Sequence, residues 1–305
     1  MGSGAEAGAT FQLSAEGGMT GVQALRPDFE RTRRRNRERR SPERLAAHYA
    51  LERPLAERLR EATPAERPRV YSEVYGELFA ALPDHPQHAA KRTDRAQRVA
   101  AQLALLLPLL CGGRRYLEIG CSDAAVTFGM ATHVRQAFGL DVTDALVDLP
   151  GAPANFRFLR TDGVHIPLPS ASVDLVYSNQ LLEHLHPDDA EAQLREVVRV
   201  LAPGGVHLCR TPNRLTGPHD ISAYFDYQAT GFHLREYDFR SLRRLMMAAG
   251  FSRVRFVVGG ASHAPMPFVL AAALESLLDR LPPAARTRAA RLVAPLLDLS
   301  AIARR

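Results

Sequence analysis

The chain has 305 residues, 46% of them hydrophobic, which is enough to bury a full core; 39 basic against 33 acidic residues leave a formal net charge of +6. Three scattered cysteines (Cys111, Cys121, Cys209) exclude a disulfide framework and offer no paired metal-ligand spacing. No apolar run reaches the ~18 residues of a membrane-spanning helix and the N-terminus lacks an apolar signal core, so a cytoplasmic protein is expected.

The charge is uneven. Lys91 is the only lysine, and nine arginines fall between positions 26 and 44 against Asp28, Glu30, Glu38 and Glu43. With the Gly/Ala/Ser-rich residues before it, this run reads as a disordered basic leader over 1–40, solvated rather than gripping nucleic acid. At Ser41-Pro42-Glu43 the character changes to a helix opening, with serine at the N-cap and proline at N1. Leu45, Tyr49, Leu51, Leu55 and Leu59 then recur near helical spacing. Thr63-Pro64-Ala65-Glu66 has the form of a second opening, a capping box. Pro83-Asp84-His85-Pro86 reads as a turn, and 93–110 as a third helix. Residues 41–110 are therefore expected to be a helical extension ahead of a main domain at 111–305.

The main domain opens on Tyr116-Leu117-Glu118-Ile119, a buried strand, followed by the small-residue turn Gly120-Cys121-Ser122-Asp123-Ala124. A second strand ends at Gly139-Leu140-Asp141-Val142, and Asp141 lies 21 positions beyond Gly120. That separation suits a βαβ unit whose carboxylate accepts from ribose hydroxyls over the first turn. A dinucleotide fingerprint would need further glycines where Ser122 and Ala124 stand, and Glu118 would repel a pyrophosphate. A cofactor with a cationic amino-acid end fits these residues instead.

Further on come Arg160-Thr161-Asp162-Gly163, the strand Val173-Asp174-Leu175-Val176-Tyr177-Ser178-Asn179, then Leu181-Leu182-Glu183-His184-Leu185, and finally a helix ending in Ala202-Pro203-Gly204-Gly205-Val206. In this order and spacing, residues 116–213 resemble the class I S-adenosylmethionine-dependent methyltransferases, in the small-molecule, type 11/23-like branch. The resemblance implies a Rossmann-like α/β fold, with a seven-stranded, mostly parallel sheet and helices on both faces. It implies S-adenosyl-L-methionine as cofactor. Glu118, Gly120, Ser122 and Ala124 would surround the methionine end, Asp141 with Val142 the ribose, Asp162 and Gly163 the adenine, and Asn179 the sulfonium. The helical extension corresponds to the cover such enzymes build over cofactor and acceptor.

After the fifth strand, a long connection runs from Thr211 to Tyr237, a length that is usually functional inside a compact domain. It carries His219, Asp220 and His233. Residues 242–249 read as a helix stopped by Gly250, 253–258 as a sixth strand, 267–297 as an apolar helical insertion broken by Pro282-Pro283, and 299–304 as a seventh strand. His184 and His233 are the candidate catalytic residues, with His233 as general base for a hydroxyl acceptor. No metal is expected. The expected function is methyl transfer to a small molecule, at a hydroxyl, in biosynthetic metabolism, with nucleic acid not a partner and a homodimer formed through the C-terminal helices.

Two alternatives stay open. Gln180-Leu181-Leu182-Glu183-His184 with a later histidine partly resembles small-RNA 2′-hydroxyl methyltransferases, which hold a divalent metal on a Glu-x-x-Glu-His element. Gln180 departs from that pattern. The other alternative is a non-catalytic cofactor-binding scaffold.

Overall fold

The structure, a computed structural model, describes residues 24–82, 95–110, 115–258 and 264–305. The expected turn at Pro83–Pro86, the start of the helix at 93–110, and Cys111 lie outside these residues. At the centre is a sheet of β1 (Arg115–Ile119), β2 (Gln136–Asp141), β3 (Phe156–Arg160), β4 (Val173–Asn179), β5 (Leu201–Thr211), β6 (Arg253–Val257), β7 (Pro265–Met266) and β8 (Leu299–Arg304), in the order β3-β2-β1-β4-β5-β8-β6-β7. The first five strands pair in parallel, while β8 runs antiparallel between β5 and β6. The expected seven strands become eight: Pro265–Met266 adds a two-residue edge to β6. A strand that short has no periodicity to read, and its proline is tolerated only at an edge.

Successive side chains along the strands enter opposite cores. Tyr116 packs with Val126, Met130 and Tyr177, whereas Leu117 packs with Leu140, Leu194 and Val197. Burial on both faces is what turns these strands into continuous apolar runs. The first face is covered by α4 (Arg95–Leu106) and α5 (Ala125–Ala131), the second by α6 (Pro187–Val200) and α7 (Phe239–Ala249). Gly250 ends α7 with φ of +107°, a left-handed stop that glycine takes without a Cβ clash. In the insertion, α8 (Phe268–Asp279) and α9 (Pro283–Leu292) follow the expected break at the prolines, and the buried Glu275 accepts from the Phe239 N–H at the start of α7.

The helical extension holds α2 (Pro42–Glu61) and α3 (Arg67–Ala81). Ser41 caps α2 by accepting from the Arg44 N–H at 3.2 Å. At the second opening only half of the capping box forms, since Glu66 accepts from the Thr63 N–H at 2.9 Å while the Thr63 hydroxyl donates to Glu66. The helix consequently begins at Arg67.

The leader departs from expectation. Residues 24–40, read as disordered, carry α1 (Phe29–Arg35) and are docked on the long connection. Arg26 is 4% exposed; it donates to the carbonyls of Ala223 and Asp226, and its guanidinium lies 3.8 Å over the Tyr227 ring. Phe29, Leu45, Tyr49, Ile221, Tyr224 and Phe225 form a separate small core beneath it. The arginines around this core hid the apolar residues that dock it.

Candidate active site

The strand order reverses between β1 and β4, so the crevice for a ligand lies outside the C-terminal ends of those strands. The turn there has alternating left-handed residues: Gly120 at φ +72°, Ser122 at +50° and Ala124 at +53°. Ser122 and Ala124 thus hold a glycine-type backbone without being glycine. The Asp141 carboxylate fastens this turn, accepting from the Ser122 N–H at 2.9 Å and from the Val142 N–H at 2.7 Å. Val142 contributes this backbone N–H, and the residue is 45% exposed.

Glu118 sits under the turn, buried, and accepts from the Thr127 hydroxyl of α5. Burial lifts its carboxyl to about 8, against the Thr127 bond and with Asp123 and Asp141 adding negative charge nearby. An incoming cation would favour the ionised form. Burial also raises Asp141, opposed by its backbone donors. Asp162 differs. It is exposed and accepts from the Val164 and His165 N–H groups at 2.9 and 2.7 Å, which outweigh its partial burial and hold it below the usual carboxylate range. Glu118, Asp141, Asp162 and Asn179 share one sheet edge on the neighbouring strands β1 to β4. Asp162, however, is turned into its own loop rather than toward the other carboxylates.

The extension reaches this edge through α3. Tyr71 packs against Gly163, accepts from the His186 N–H at 2.7 Å and donates to Asp189 at 3.3 Å. Arg67, 3% exposed, pairs with Asp189 at 3.1 Å. Gln193 of α6 donates to the Gly163 carbonyl at 2.6 Å, fixing the second loop from the other side.

After β4 the chain passes close to the turn, since a Cβ on Gly120 would stand 3.2 Å from Leu181. His184 follows in a 3₁₀ turn (Leu182–His184) and meets His233 edge-on, with ring centroids 4.8 Å apart. The structure therefore brings the two candidate histidines together. They border a cavity of about 330 Å³ also lined by Arg40, Glu52, Tyr75 and His219. Nδ1 of His184 lies 3.1 Å from the Phe232 carbonyl, which can only accept, so that nitrogen carries the proton. Burial and the neighbouring His233 push His184 down to about 3. Nδ1 of His233 lies 2.8 Å from Glu236. Burial opposes charge on His233, but Glu236, Asp220 and Glu183 outweigh it and raise the ring to about 9.

Several residues that hold this arrangement had no assigned role, unlike His219 and Asp220, which were candidates for the acceptor site. Glu52, 4% exposed within the apolar stripe of α2, accepts from the Phe232 N–H at 2.8 Å and pairs with His48 at 2.8 Å. Arg60 donates to the Thr230, Gly231 and His233 carbonyls. Asp220 accepts from the Gly231 N–H at 2.9 Å, and Glu236 from the His219 N–H at 2.7 Å. The legible signal was Glu52: a carboxylate among Leu45, Tyr49, Leu55 and Leu59 needs a partner. Glu183 is fully buried, and the Thr211 hydroxyl donates to it at 2.8 Å. One side-chain ligand atom from each of Glu183, His184 and His233 lies within 4.8 Å of the other two.

Residues 117–209 match the family model of a methyltransferase domain. The chain is 39% identical over 146 residues to a probable S-adenosylmethionine-dependent methyltransferase of Mycolicibacterium smegmatis, covering 46% of this chain and 53% of that one. It is 30% identical over 125 residues to the 27-O-demethylrifamycin SV methyltransferase of Amycolatopsis mediterranei, covering 38% and 45%. It thus spans about half the length of the curated relatives it matches. An S-adenosylmethionine-dependent methyltransferase structure from Mesorhizobium loti superposes with a TM-score of 0.46 at 19% identity, over 67% of this chain and 98% of that one. The central part of the chain, built on the Gly120 turn, thus matches a methyltransferase domain over residues 117–209 and is similar there to S-adenosylmethionine-dependent methyltransferases.

Proposed function

We propose that the protein transfers a methyl group from S-adenosyl-L-methionine to a hydroxyl of a small molecule held in the cavity against His184 and His233. The observation that carries this reading is that the segment after β4 touches both places: Leu181 packs on the Gly120 turn, and His184 lines the cavity. Its volume of about 330 Å³ falls at the small end of ligand pockets, which run from ~300 to ~1,000 Å³. The Amycolatopsis relative, named for methylating an oxygen of a rifamycin, supports a hydroxyl acceptor in biosynthetic metabolism.

In the transfer, an oxygen lone pair forms the new C–O bond while the C–S bond breaks and its electrons return to sulfur. Alignment of the two reactants supplies most of the acceleration, on the order of 7–11 kcal/mol for well-oriented partners. Glu118 and Asp141 hold the cofactor's ammonium and ribose, Asp162 and Gly163 the adenine, and Asn179 the region of the sulfonium. His233, the expected base, is raised to about 9 by Glu236, Asp220 and Glu183 and so carries a proton at neutral pH; His184, neutral and with its proton fixed on Nδ1, offers the Nε2 lone pair to the hydroxyl in its place. So weak a base takes the proton only as the oxygen gains positive charge. The α2–α3 extension forms the cover that excludes water.

No helix among the described residues is long and apolar enough to cross a membrane. Cys121 and Cys209 are free and buried, which fits the reducing cytoplasm proposed for the protein. Val269, Leu270, Leu277 and Leu292 are exposed on α8 and α9 and supply the face for the proposed homodimer.

The test is incubation with methyl-labelled cofactor and an extract of the producing cells, followed by mass spectrometry. A labelled small molecule, lost with Asp141→Ala, supports the reading. Label only in RNA would favour the metal-assisted 2′-hydroxyl alternative, and cofactor binding with no labelled product the scaffold alternative.

A further inference from the structure

A line of largely buried polar groups runs from the docked arm through the cavity wall to His184. Glu38 clasps Arg40, accepting from its Nε at 3.0 Å and its Nη2 at 2.7 Å. Nη1 of Arg40 lies 2.8 Å from Nδ1 of His48, and Nε2 of His48 lies 2.8 Å from one carboxylate oxygen of Glu52. The other Glu52 oxygen accepts from the Phe232 N–H at 2.8 Å. The Phe232 carbonyl then faces Nδ1 of His184 at 3.1 Å.

Each link has one possible direction. A guanidinium only donates, so Nδ1 of His48 accepts and its Nε2 carries the hydrogen given to Glu52. Glu52 meets two donors with one oxygen each, and the Phe232 carbonyl can only accept from His184. The Tyr75 hydroxyl, 3.3 Å from the same His184 nitrogen, can donate or accept and leaves the choice of tautomer to the carbonyl. His48 and Glu52 are 2% and 4% exposed on the apolar stripe of α2. Aliphatic side chains of similar size would pack there without loss of stability, so the pair is better explained by the arrangement it fixes.

We propose that Arg40, His48 and Glu52 are positioning residues for His184. By holding Phe232 they keep its carbonyl on Nδ1 and the Nε2 lone pair open to the acceptor hydroxyl. Were that carbonyl to swing away, the ring could carry its hydrogen on Nε2 and would meet the hydroxyl donor to donor. A histidine base in the wrong tautomer loses up to ~10⁴-fold in rate. The arm thereby reaches the chemistry as well as the cavity wall. The role of His184 as base rests on the methyl-transfer reading, whereas its tautomer is measured without turnover.

The experiment is nitrogen NMR of the histidine side chains in the full-length protein, with the His184 signals identified by their loss in His184→Ala. The parent should carry the His184 hydrogen on Nδ1 alone. Glu52→Gln sets one acceptor before two donors, while His48→Leu and Arg40→Met interrupt the line; each should bring up an Nε2–H form of His184 at ~10% or more. His48→Gln should keep the parent spectrum, since its amide accepts from Arg40 and donates to Glu52 in the same sense. Arg39→Gln, at an exposed position, should also match the parent. In the labelled-product assay the three interrupting variants should lose at least ~10-fold in kcat with cofactor affinity unchanged, and His48→Gln should stay within ~3-fold. A merely structural role would lower Tm and leave the tautomer alone. Cofactor affinity confirms that each variant is folded, and Arg40→Met, outside α2, serves where a change in that helix does not fold. A parent with Nε2–H, or Nδ1–H alone in every interrupting variant, overturns the positioning role even where methyl transfer is observed. Mixed tautomers in those variants uphold it even where no methylated product appears.

Discussion

The backbone N–H of Ser122 donates to Asp141 Oδ2 at 2.9 Å, so the carboxylate expected to take the ribose also ties the end of β2 to the glycine-type turn. Affinity and local stability are therefore coupled at one side chain. Asp141→Ala should weaken S-adenosylmethionine binding by ~10–150-fold, the equivalent of about 1.5–3 kcal/mol for a lost charged hydrogen bond. It should also lower Tm, since the Ser122 and Val142 N–H groups lose their acceptor. Calorimetry and thermal unfolding of the same variant check both.

Ser122 and Ala124 pay a conformational cost that glycine would avoid. Left-handed backbone costs an L-residue roughly 1–2 kcal/mol, while glycine's greater freedom in the unfolded chain returns up to about 1. Ser122→Gly and Ala124→Gly should each stabilise the protein by about 0.5–1 kcal/mol in denaturant titration. Ala124→Val, at a fully buried left-handed position, should destabilise it strongly.

The pH dependence of cofactor binding tests the role proposed for the buried Glu118. Its carboxyl stands at about 8 in the folded, empty protein against 4.5 ordinarily, so the native state holds a proton that the unfolded chain has lost between those values. Stability of the empty protein should accordingly fall as pH rises from about 4.5 to about 8 and level off above. A cationic cofactor reverses the preference of the carboxyl. Affinity for S-adenosylmethionine should rise with pH up to about 8, by no more than ~10-fold per unit, with proton release visible in buffers of differing ionisation enthalpy. A flat profile would place the cofactor's charge away from Glu118.

Arg60 holds the carbonyls of Thr230, Gly231 and His233 from α2. Arg60→Ala should loosen that segment, seen as faster amide exchange over residues 230–233. Turnover should drop at least ~10-fold while cofactor affinity stays unchanged. His184→Ala, which removes the nitrogen offered to the hydroxyl, should cut turnover at least ~100-fold, again with cofactor affinity intact.

The backbone of the proposed cofactor site was legible because its determinants are local: the turn at 120–124, the carboxylate 21 positions on, and a strand buried on both faces. Ser122 and Ala124 were read as glycine substitutes, but nothing in their identity announced that they keep glycine's backbone. The acceptor half was only partly legible. His184 and His233 stood out by type, whereas Glu52 and Arg60, which fix the His233 segment, act from nearly two hundred residues away. Arg26 was read into the solvated leader for the same reason: besides the neighbouring Asp28, its partners are the distant carbonyl oxygens of Ala223 and Asp226, to which any sequence contributes equally.

The docked arm carries a practical consequence. Asn36, Glu38 and Arg40 all line the cavity, and Asn36 donates to the Tyr224 hydroxyl at 3.3 Å. A truncation beginning at Ser41, the natural cut by composition, would remove one wall of the binding chamber and expose the aromatic cluster of residues 221–225. Such a shortened protein would differ from the parent in which molecules it admits, and its substrate profile would describe the truncation.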